Sequence, residues 1–205
     1  MAVRVSDSSL ARTPEIHTWW DSDSSGEALL AQIAVRAERP FLISIPESLP
    51  RVSAIPGKKI PEIGEMLMFG EMEERPIPSS PLLRSDENPG AIARSGAFPR
   101  GAIEYAVEVG MELFVLVNES HDGWLARCHV EPRPRDLGEV AGVETHPRHR
   151  GRGHAKGMLL TLATMLRRQF CGLIYLSLLQ NCPSRALASS AGFSPVTTYR
   201  KHLFT

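Results

Sequence analysis

The stretch that decides the fold is Val143-Glu144-Thr145-His146-Pro147-Arg148-His149-Arg150-Gly151-Arg152-Gly153-His154-Ala155. An apolar segment ends at Thr145, and an amphipathic segment begins near Gly153. Between them, glycines let the backbone turn so that successive N–H groups point at one spot, and a following helix adds its positive N-terminal end. Positive charge surrounds the turn, from Arg148, Arg150, Arg152 and Lys156. The stretch therefore predicts a strand, an anion-binding turn and a helix, with pyrophosphate as the natural ligand.

The flanking residues extend this pattern. Leu137–Thr145 reads as a strand and Gly153–Gln169 as a helix. That helix has one apolar face, formed by Ala155, Met158, Leu159, Leu162, Ala163 and Leu166. Further strands are predicted over residues 112–118, 124–130, 173–178 and 194–204, and a further helix over residues 183–191, stopped by Gly192. Strands precede and follow a central helix, so this part of the chain is mixed α/β.

The upstream residues are less regular. They predict a helix over residues 25–37, a strand over 40–45, proline-rich turns, and a strand over 65–72. Residues 75–100 contain five prolines and read mostly as loop, with one short helix near residues 91–94. A helix over residues 102–109 is expected to end at Gly110, where glycine can cap it. We expect residues 1–60 to form an extension or small subdomain and residues 61–205 to form the main domain.

Length and composition set the broad class. The chain has 205 residues, of which 42% are hydrophobic and 22% charged, as in globular proteins. No apolar run reaches the roughly 18 residues of a membrane span, and the first residues do not resemble a signal peptide. Three cysteines are too few for a disulfide scaffold. We expect a cytoplasmic protein with no membrane partner.

Charge is unevenly distributed although the net charge is zero. Residues 61–120 carry 4 Lys/Arg against 11 Asp/Glu, whereas residues 121–205 carry 12 against 5. The last third is therefore +7 and the middle third −7. This asymmetry indicates an anionic ligand for the C-terminal part, or two parts of the chain that face each other.

Two common phosphate-binding motifs are absent. A Walker loop needs Gly-x4-Gly-Lys-Ser/Thr, and the dinucleotide fingerprint needs Gly-x-Gly-x-x-Gly. The pattern that fits is Arg/Gln-x-x-Gly-x-Gly/Ala, written here as Arg150-Gly151-Arg152-Gly153-His154-Ala155. At this point the chain resembles the GNAT superfamily of N-acetyltransferases, in which that turn holds the pyrophosphate of acetyl-CoA.

A second motif strengthens the resemblance. Residues 181–193 read Asn181-Cys-Pro-Ser184-Arg-Ala-Leu187-Ala188-Ser-Ser-Ala191-Gly192-Phe193. The family signature runs Asn, a small residue at +3, Leu at +6, often Tyr at +7, then Leu-Gly-Phe. The resemblance covers roughly residues 61–205 and is specific over residues 137–193. A serine at +3 without the tyrosine is also similar to the glycine N-acyltransferase-like branch.

The resemblance implies a fold and a CoA site. The fold would be a mixed, mostly antiparallel central sheet flanked by helices, splayed at the strand that ends at Thr145. The pantetheine arm would contact that strand at Val143, Glu144 and Thr145. The pyrophosphate would lie on Arg150, Gly151, Arg152, Gly153, His154 and Ala155. Asn181 would bond the pantetheine or the backbone nearby.

The resemblance also suggests catalytic residues. Glu139 is the first choice as general base, acting directly or through one water, and Glu144 is the second. In a regular strand, Glu139, Ala141, Val143 and Thr145 share one face and Glu144 lies on the other. Ala188 stands where the family often has tyrosine, so the proton donor stays open among Ser184, Tyr199 and water.

Other ligands are less consistent with the sequence. His146, His149 and His154 crowd a basic turn that would repel a cation, so no metal is expected. The basic run lacks interleaved aromatic residues in a neutral chain, so nucleic acid is not expected either. Cys182, close to the expected thioester, is the cysteine of most interest.

The sequence thus predicts transfer of an acetyl or longer acyl group from CoA to an amine of a small molecule or protein by direct attack. Two alternatives stay open: a catalytically degenerate CoA-binding protein, suggested by Ala188, and an interaction module built on the basic turn. Whether the chain forms a homodimer also stays open.

Overall fold

The computed structural model describes side chains for residues 81–118, 123–133 and 136–200. Outside these ranges it describes the backbone of strands β1 (Ala2–Asp7), β2 (Pro14–Trp19), β3 (Phe41–Pro46) and β4 (Lys58–Phe69), and the last residues of β10 (Phe193–Phe204). The helix predicted over residues 25–37 lies outside the described residues.

The chain divides into two compact units. The first comprises residues 1–66, 177–181 and 195–205, and the second comprises residues 67–176 and 182–194. In the first unit, β1 pairs antiparallel with β2, β2 parallel with β3, and β3 antiparallel with β10. The division of the chain into residues 1–60 and 61–205 stays a prediction.

The second unit contains a five-stranded sheet flanked by helices. Its strands are β5 (Leu82–Arg84), β6 (Glu112–Val117), β7 (Trp124–Arg133), β8 (Leu137–Thr145) and β9 (Gly172–Leu178). Its helices are α1 (Pro89–Ser95), α2 (Arg100–Val109), α3 (His154–Leu166) and α4 (Cys182–Ser190), with a short 3-10 helix at Pro147–His149. Neighbours pair antiparallel from β5 to β8, whereas β8 and β9 are parallel. The predicted mixed, mostly antiparallel α/β fold is confirmed.

Both faces of this sheet are covered because β6 is apolar on both sides. Phe114 and Leu116 belong to a core that includes α3, whose six predicted apolar residues are all buried. The alternate residues Leu113, Val115 and Val117 belong to a second core with Ile92 and Ala106 of the first two helices. Burial of these side chains, at about 25 cal/mol per Å² of apolar surface, is the main force holding helices to the sheet.

Several elements differ from the sequence prediction: strands β1 and β2 were not predicted, and β4 spans Lys58–Phe69 instead of residues 65–72. The short strand β5 lies within residues 75–100, which were expected to be loop and helix. Strand β7 continues to Arg133, beyond the predicted end at Val130. Pro132 lies opposite Gly138 of β8 but beyond Val130, the last β7 residue in the described pairing with β6, and proline is tolerated where one side of a strand is unpaired.

Among the described residues, no helix is both long enough and apolar enough to cross a membrane.

Candidate active site

The turn before α3 is bent at two glycines and leads into a helix, as the sequence predicted. Gly151 and Gly153 adopt left-handed backbone angles, with φ of +75° and +81°, and Gly153 is the N-cap of α3. A Cβ atom at either glycine would meet nothing within 4 Å, so there is open space beside both glycines. The imidazole Nδ1 of His146 accepts a hydrogen bond from the backbone N–H of Arg148, which fixes the entry to the turn. The first-turn N–H groups of a 13-residue helix have no partner within the helix and can bind an anion.

The same turn is electropositive. The side chains of Arg148, Arg150 and Arg152 are exposed. Partial desolvation, together with the charge of Arg152 and the neighbouring basic groups, lowers the pKa of His149. No group of three or more potential metal-binding side chains occurs in the described parts of the chain. The turn is therefore suited to an anion.

Next to the turn, β8 separates from β9 as the resemblance implied. Their parallel pairing runs from Leu137 opposite Gly172 to Val140 opposite Tyr175. Strand β8 continues to Thr145 beyond that last pair. Residues 141–145, which include the predicted pantetheine contacts Val143, Glu144 and Thr145, thus form the edge of an opening in the sheet.

A β-bulge lies at this edge and overturns the predicted side-chain alternation. The partner of Arg127 is Glu144, but the partner of His129 is Ala141, so β8 contains one extra residue there. Gly142 adopts a φ of +61° within the bulge. Directly opposed residues share a face, so Glu144 lies on the same face as Glu139. The prediction that Glu144 faces the other way, and that Val143 shares the face of Glu139, was wrong: Val143 packs against the α3 core instead.

Glu139, the first choice as general base, is buried in an ion-pair network. Only 5% of its surface is exposed, and both Nε and Nη2 of Arg133 lie 2.6 Å from its Oε2. Arg133 also contacts Glu131 at 3.0 Å. Burial raises the pKa of Glu139, although the charge of Arg133 opposes that shift. A carboxylate shielded in this way has little access to an incoming amine.

Glu144 also forms an ion pair, in its case with Arg127. Its Oε2 accepts hydrogen bonds from Nε of Arg127, at 2.9 Å, and from Nη2. The Arg127 guanidinium also donates to the carbonyl of Ala97 and lies 5.1 and 5.2 Å from the ring centroids of Phe98 and Trp124. Glu144 therefore anchors an arginine between two aromatic rings, with 40% of its side chain exposed.

A histidine lies between these two ion pairs. His129 has 23% of its side chain exposed, and its Nε2 is 3.3 Å from Oε1 of Glu131. A Cβ atom at Gly142 would lie 2.8 Å from Nδ1 and Cε1 of His129, so the ring rests directly against the bulge. The structure thus brings a partly exposed imidazole to the site that the sequence analysis did not consider.

Ser184, near the start of α4, is hydrogen-bonded to a residue that was also overlooked. The hydroxyl groups of Ser184 and Tyr175 lie 2.8 Å apart. Tyr175 is 4% exposed, and burial raises the pKa of its phenol. Ala188, at the position where the family often has tyrosine, is fully buried in the α3 core. The phenol of Tyr175 thus reaches Ser184 from a strand rather than from α4.

Asn181 and Tyr199 belong to the first compact unit. The backbone N–H of Asn181 donates to the carbonyl of Leu178 at 2.9 Å, and Tyr199 lies on β10 opposite Pro46. Their predicted roles, pantetheine contact and proton donation, stay predictions.

The polar side chains of β7 that the sequence analysis did not consider follow a pattern that can be recognised in the sequence. Every second residue of β7 from position 127 to 133 is charged or titratable, namely Arg127, His129, Glu131 and Arg133. This alternation marks a polar face of a strand whose other face is apolar. Tyr175 gave no comparable signal, because a tyrosine in an apolar strand reads as core.

Comparison with known proteins agrees with the fold described above. Residues 109–193 match the sequence model of the Acetyltransferase (GNAT) family. The described fold is GNAT-like. No curated protein sequence matches the chain significantly.

Solved structures show the same fold at low identity. An acetyltransferase of the GNAT family from Colwellia psychrerythraea has a TM-score of 0.59 and 14% identity, over 93% of this chain and 78% of that one. A GCN5-related N-acetyltransferase from Sphaerobacter thermophilus has a TM-score of 0.58 and 13% identity, over 98% and 75%. A GCN5-related N-acetyltransferase from Kribbella flavida has a TM-score of 0.52 and 15% identity, over 93% and 80%. The family match supports acyl transfer as the general class of reaction, and membership of the glycine N-acyltransferase-like branch stays a prediction.

Proposed function

We propose that this protein is an N-acetyltransferase that transfers an acetyl group from acetyl-CoA to an amine. The observation that carries the proposal is the open, basic glycine turn at the N-terminus of α3, directly after the strand that separates from β9. A longer acyl donor is compatible with the same turn, since CoA is the common part of such donors.

The turn would hold the pyrophosphate of CoA. Backbone N–H groups from Gly151 to Ala155 would donate to its oxygens, and the helix end adds a favourable dipole. Arg150 and Arg152 are exposed beside these groups and can supply charge-assisted hydrogen bonds. Both glycines matter because their left-handed backbone is strained for other residues and a side chain would enter the open side.

The edge of β8 would hold the pantetheine arm. Residues 141–145 lie beyond the pairing with β9, so their backbone groups facing the opening can bond an amide-containing ligand. The thioester would then lie at the opening, beside the polar face of β7 and β8.

The reaction would then proceed by direct attack. The amine nitrogen bonds to the thioester carbon, the C–S bond breaks, the amine loses a proton and CoA leaves as a thiolate. Ser184 is proposed to donate a hydrogen bond to the thiolate, with its hydroxyl oriented by the phenol of Tyr175. This pair would serve in place of the tyrosine that Ala188 replaces.

Binding of acetyl-CoA tests the proposal directly. Wild-type protein should show an upward thermal shift with acetyl-CoA, and Gly153→Glu should remove it through steric clash and charge repulsion. Gly110→Glu is the matched control, because Gly110 also has a left-handed φ of +69°, open space and a helix-terminal position. A folded wild-type protein without a shift, or equal shifts in both variants, would refute the assignment.

Acetyl-CoA binding and thiol release together separate the two alternatives from the proposed function. A catalytically degenerate CoA-binding protein binds acetyl-CoA but releases no thiol with any amine. An interaction module on the basic turn does not bind acetyl-CoA at all. The acceptor would be sought in a panel of small-molecule amines and peptides by measuring free CoA thiol.

A further inference from the structure

Resting on the proposed function, we infer that His129 is the proton acceptor for the attacking amine, held in place by Glu131. The inference comes from three features of the described residues: the position of the imidazole at the bulge, its contact with Glu131, and the arginine ion pairs that hold Glu139 and Glu144.

The position of His129 is set by the sheet. Its cross-strand partner, Ala141, is the first residue of β8 beyond the parallel pairing with β9. The extra residue of the bulge follows at once, and Gly142 leaves room for the imidazole ring because it has no Cβ atom. His129 therefore faces the edge of β8 where the sheet opens.

The contact with Glu131 selects the useful tautomer. Nε2 lies 3.3 Å from the Glu131 carboxylate, so a neutral ring with its proton on Nε2 directs that N–H to Glu131. Nδ1, on the side of Gly142, then keeps its lone pair and can accept a proton. Arg133 lies 3.0 Å from the other oxygen of Glu131 and helps to fix that carboxylate in turn.

The glutamates on the same face are less suited to this task. Glu139 is 5% exposed and is bonded to Arg133, whereas 23% of the His129 side chain is exposed. Glu144 is more exposed, but its Oε2 is occupied by Arg127. A base must reach the proton that it removes, so access favours His129 over Glu139. The ion pair with Arg127 stabilises the charged form of Glu144 and makes it a weaker proton acceptor.

The proton and electron balance is simple. The amine nitrogen forms the new C–N bond while the C–S bond breaks, and the electron pair of that bond leaves with the CoA sulfur. The proton lost by nitrogen moves to Nδ1 of His129. The resulting imidazolium is stabilised by Glu131 and returns its proton to solvent through the exposed part of the ring.

Turnover of three variants tests this assignment. His129→Gln removes the base and should lower kcat by about 10²- to 10⁴-fold while the acetyl-CoA thermal shift persists. Glu131→Gln should lower kcat less, because the amide can still orient the ring although it no longer stabilises the imidazolium by charge. Glu104→Gln is the control: Glu104 is an exposed glutamate on α2, paired with Arg100, and its loss should leave kcat unchanged.

Two further measurements separate chemistry from structure. With His129→Ala, added imidazole should restore part of the turnover, which a purely structural role would not allow. In His129→Gln the deficit should shrink as pH rises, because more of the amine is then neutral. Within the described residues of β7 and β8, the other charged groups on this face are Arg127, Glu131, Arg133, Glu139 and Glu144.

The outcomes distinguish the two proposals. If the wild type neither binds acetyl-CoA nor releases thiol, the proposed function fails, and the inference fails with it. If the wild type is active and folded His129→Gln stays within about threefold of it, only the inference is wrong. If His129→Gln does not fold, Glu131→Gln decides: reduced kcat supports the inference and unchanged kcat overturns it.

Discussion

The imidazole of His129 occupies the space that a side chain at position 142 would need. A Cβ atom on Gly142 would lie 2.8 Å from both Nδ1 and Cε1 of His129, closer than such contacts ordinarily come. Gly142 also has a φ of +61°, which glycine adopts at low cost. The observed position of the His129 ring on β7 therefore requires a glycine in the bulge of β8.

We therefore predict that Gly142→Ala lowers the free energy of unfolding more than an alanine substitution at another glycine with left-handed backbone angles. Gly96 is the control, since its φ is +69° and a Cβ there would meet nothing within 4 Å. Gly96→Ala should cost about 1–2 kcal/mol of backbone strain. Gly142→Ala should cost that amount plus about 1–3 kcal/mol for the displaced ring. Urea denaturation measures both, and equal losses would show that the ring moves aside freely.

Ser184 and Tyr175 give a second prediction. If Ser184 donates a hydrogen bond to the leaving thiolate, Ser184→Ala should lower kcat by about 10²-fold. Tyr175→Phe keeps the ring in the core but removes its hydrogen bond to Ser184, so it should lower kcat by a smaller factor. Acetyl-CoA affinity should change little in either variant. Unchanged kcat in Ser184→Ala would leave protonation of the thiolate to water.

His149 reports on the charge of the basic turn. Its pKa is lowered in the free protein by partial desolvation and by Arg152 and other neighbouring positive groups. A bound polyanion favours the charged imidazolium, so acetyl-CoA should raise this pKa. An NMR titration of the His149 imidazole with and without acetyl-CoA measures the change. A pKa that stays the same while acetyl-CoA binds would place the phosphates away from this turn.

The three cysteines should differ in reactivity. Burial raises the pKa of Cys128 far above its usual range, whereas Cys171 and Cys182 are exposed. A thiol reagent should therefore modify two groups in the native protein and a third only after unfolding. Acetyl-CoA should slow the reaction of Cys182, near the expected thioester, but not that of Cys171. Equal protection of both would argue against a thioester near α4.

The sequence was sufficient for the elements with strong local signals. The apolar spacing from Ala155 to Leu166 predicted α3 and its buried face, and Gly110 predicted the end of α2. The basic turn was predicted because its glycines, its arginines and the start of the following helix can be recognised from consecutive residues of the sequence. These features depend on neighbours in the chain.

The contacts of the candidate site residues depend on the bulge in β8 and on the register between β7 and β8, which the sequence does not show. A single extra residue at Gly142 reversed the side-chain alternation of β8 and brought Glu144 to the face of Glu139. The pairing of Arg133 with Glu139 and of Arg127 with Glu144 is set by the register between two strands. A pattern within one strand cannot reveal a partner on the next, so both glutamates were predicted as bases without their arginines.

The central claim is that this chain uses its basic glycine turn to bind acetyl-CoA and then acylates an amine. The most direct measurement is release of CoA thiol from acetyl-CoA, by wild type and Gly153→Glu, across a panel of amines, with mass spectrometry of the product. The account predicts amine-dependent thiol release and an acylated amine with the wild type, and neither with Gly153→Glu. Acetyl-CoA binding without thiol release from any amine, or equal turnover by both proteins, would contradict it.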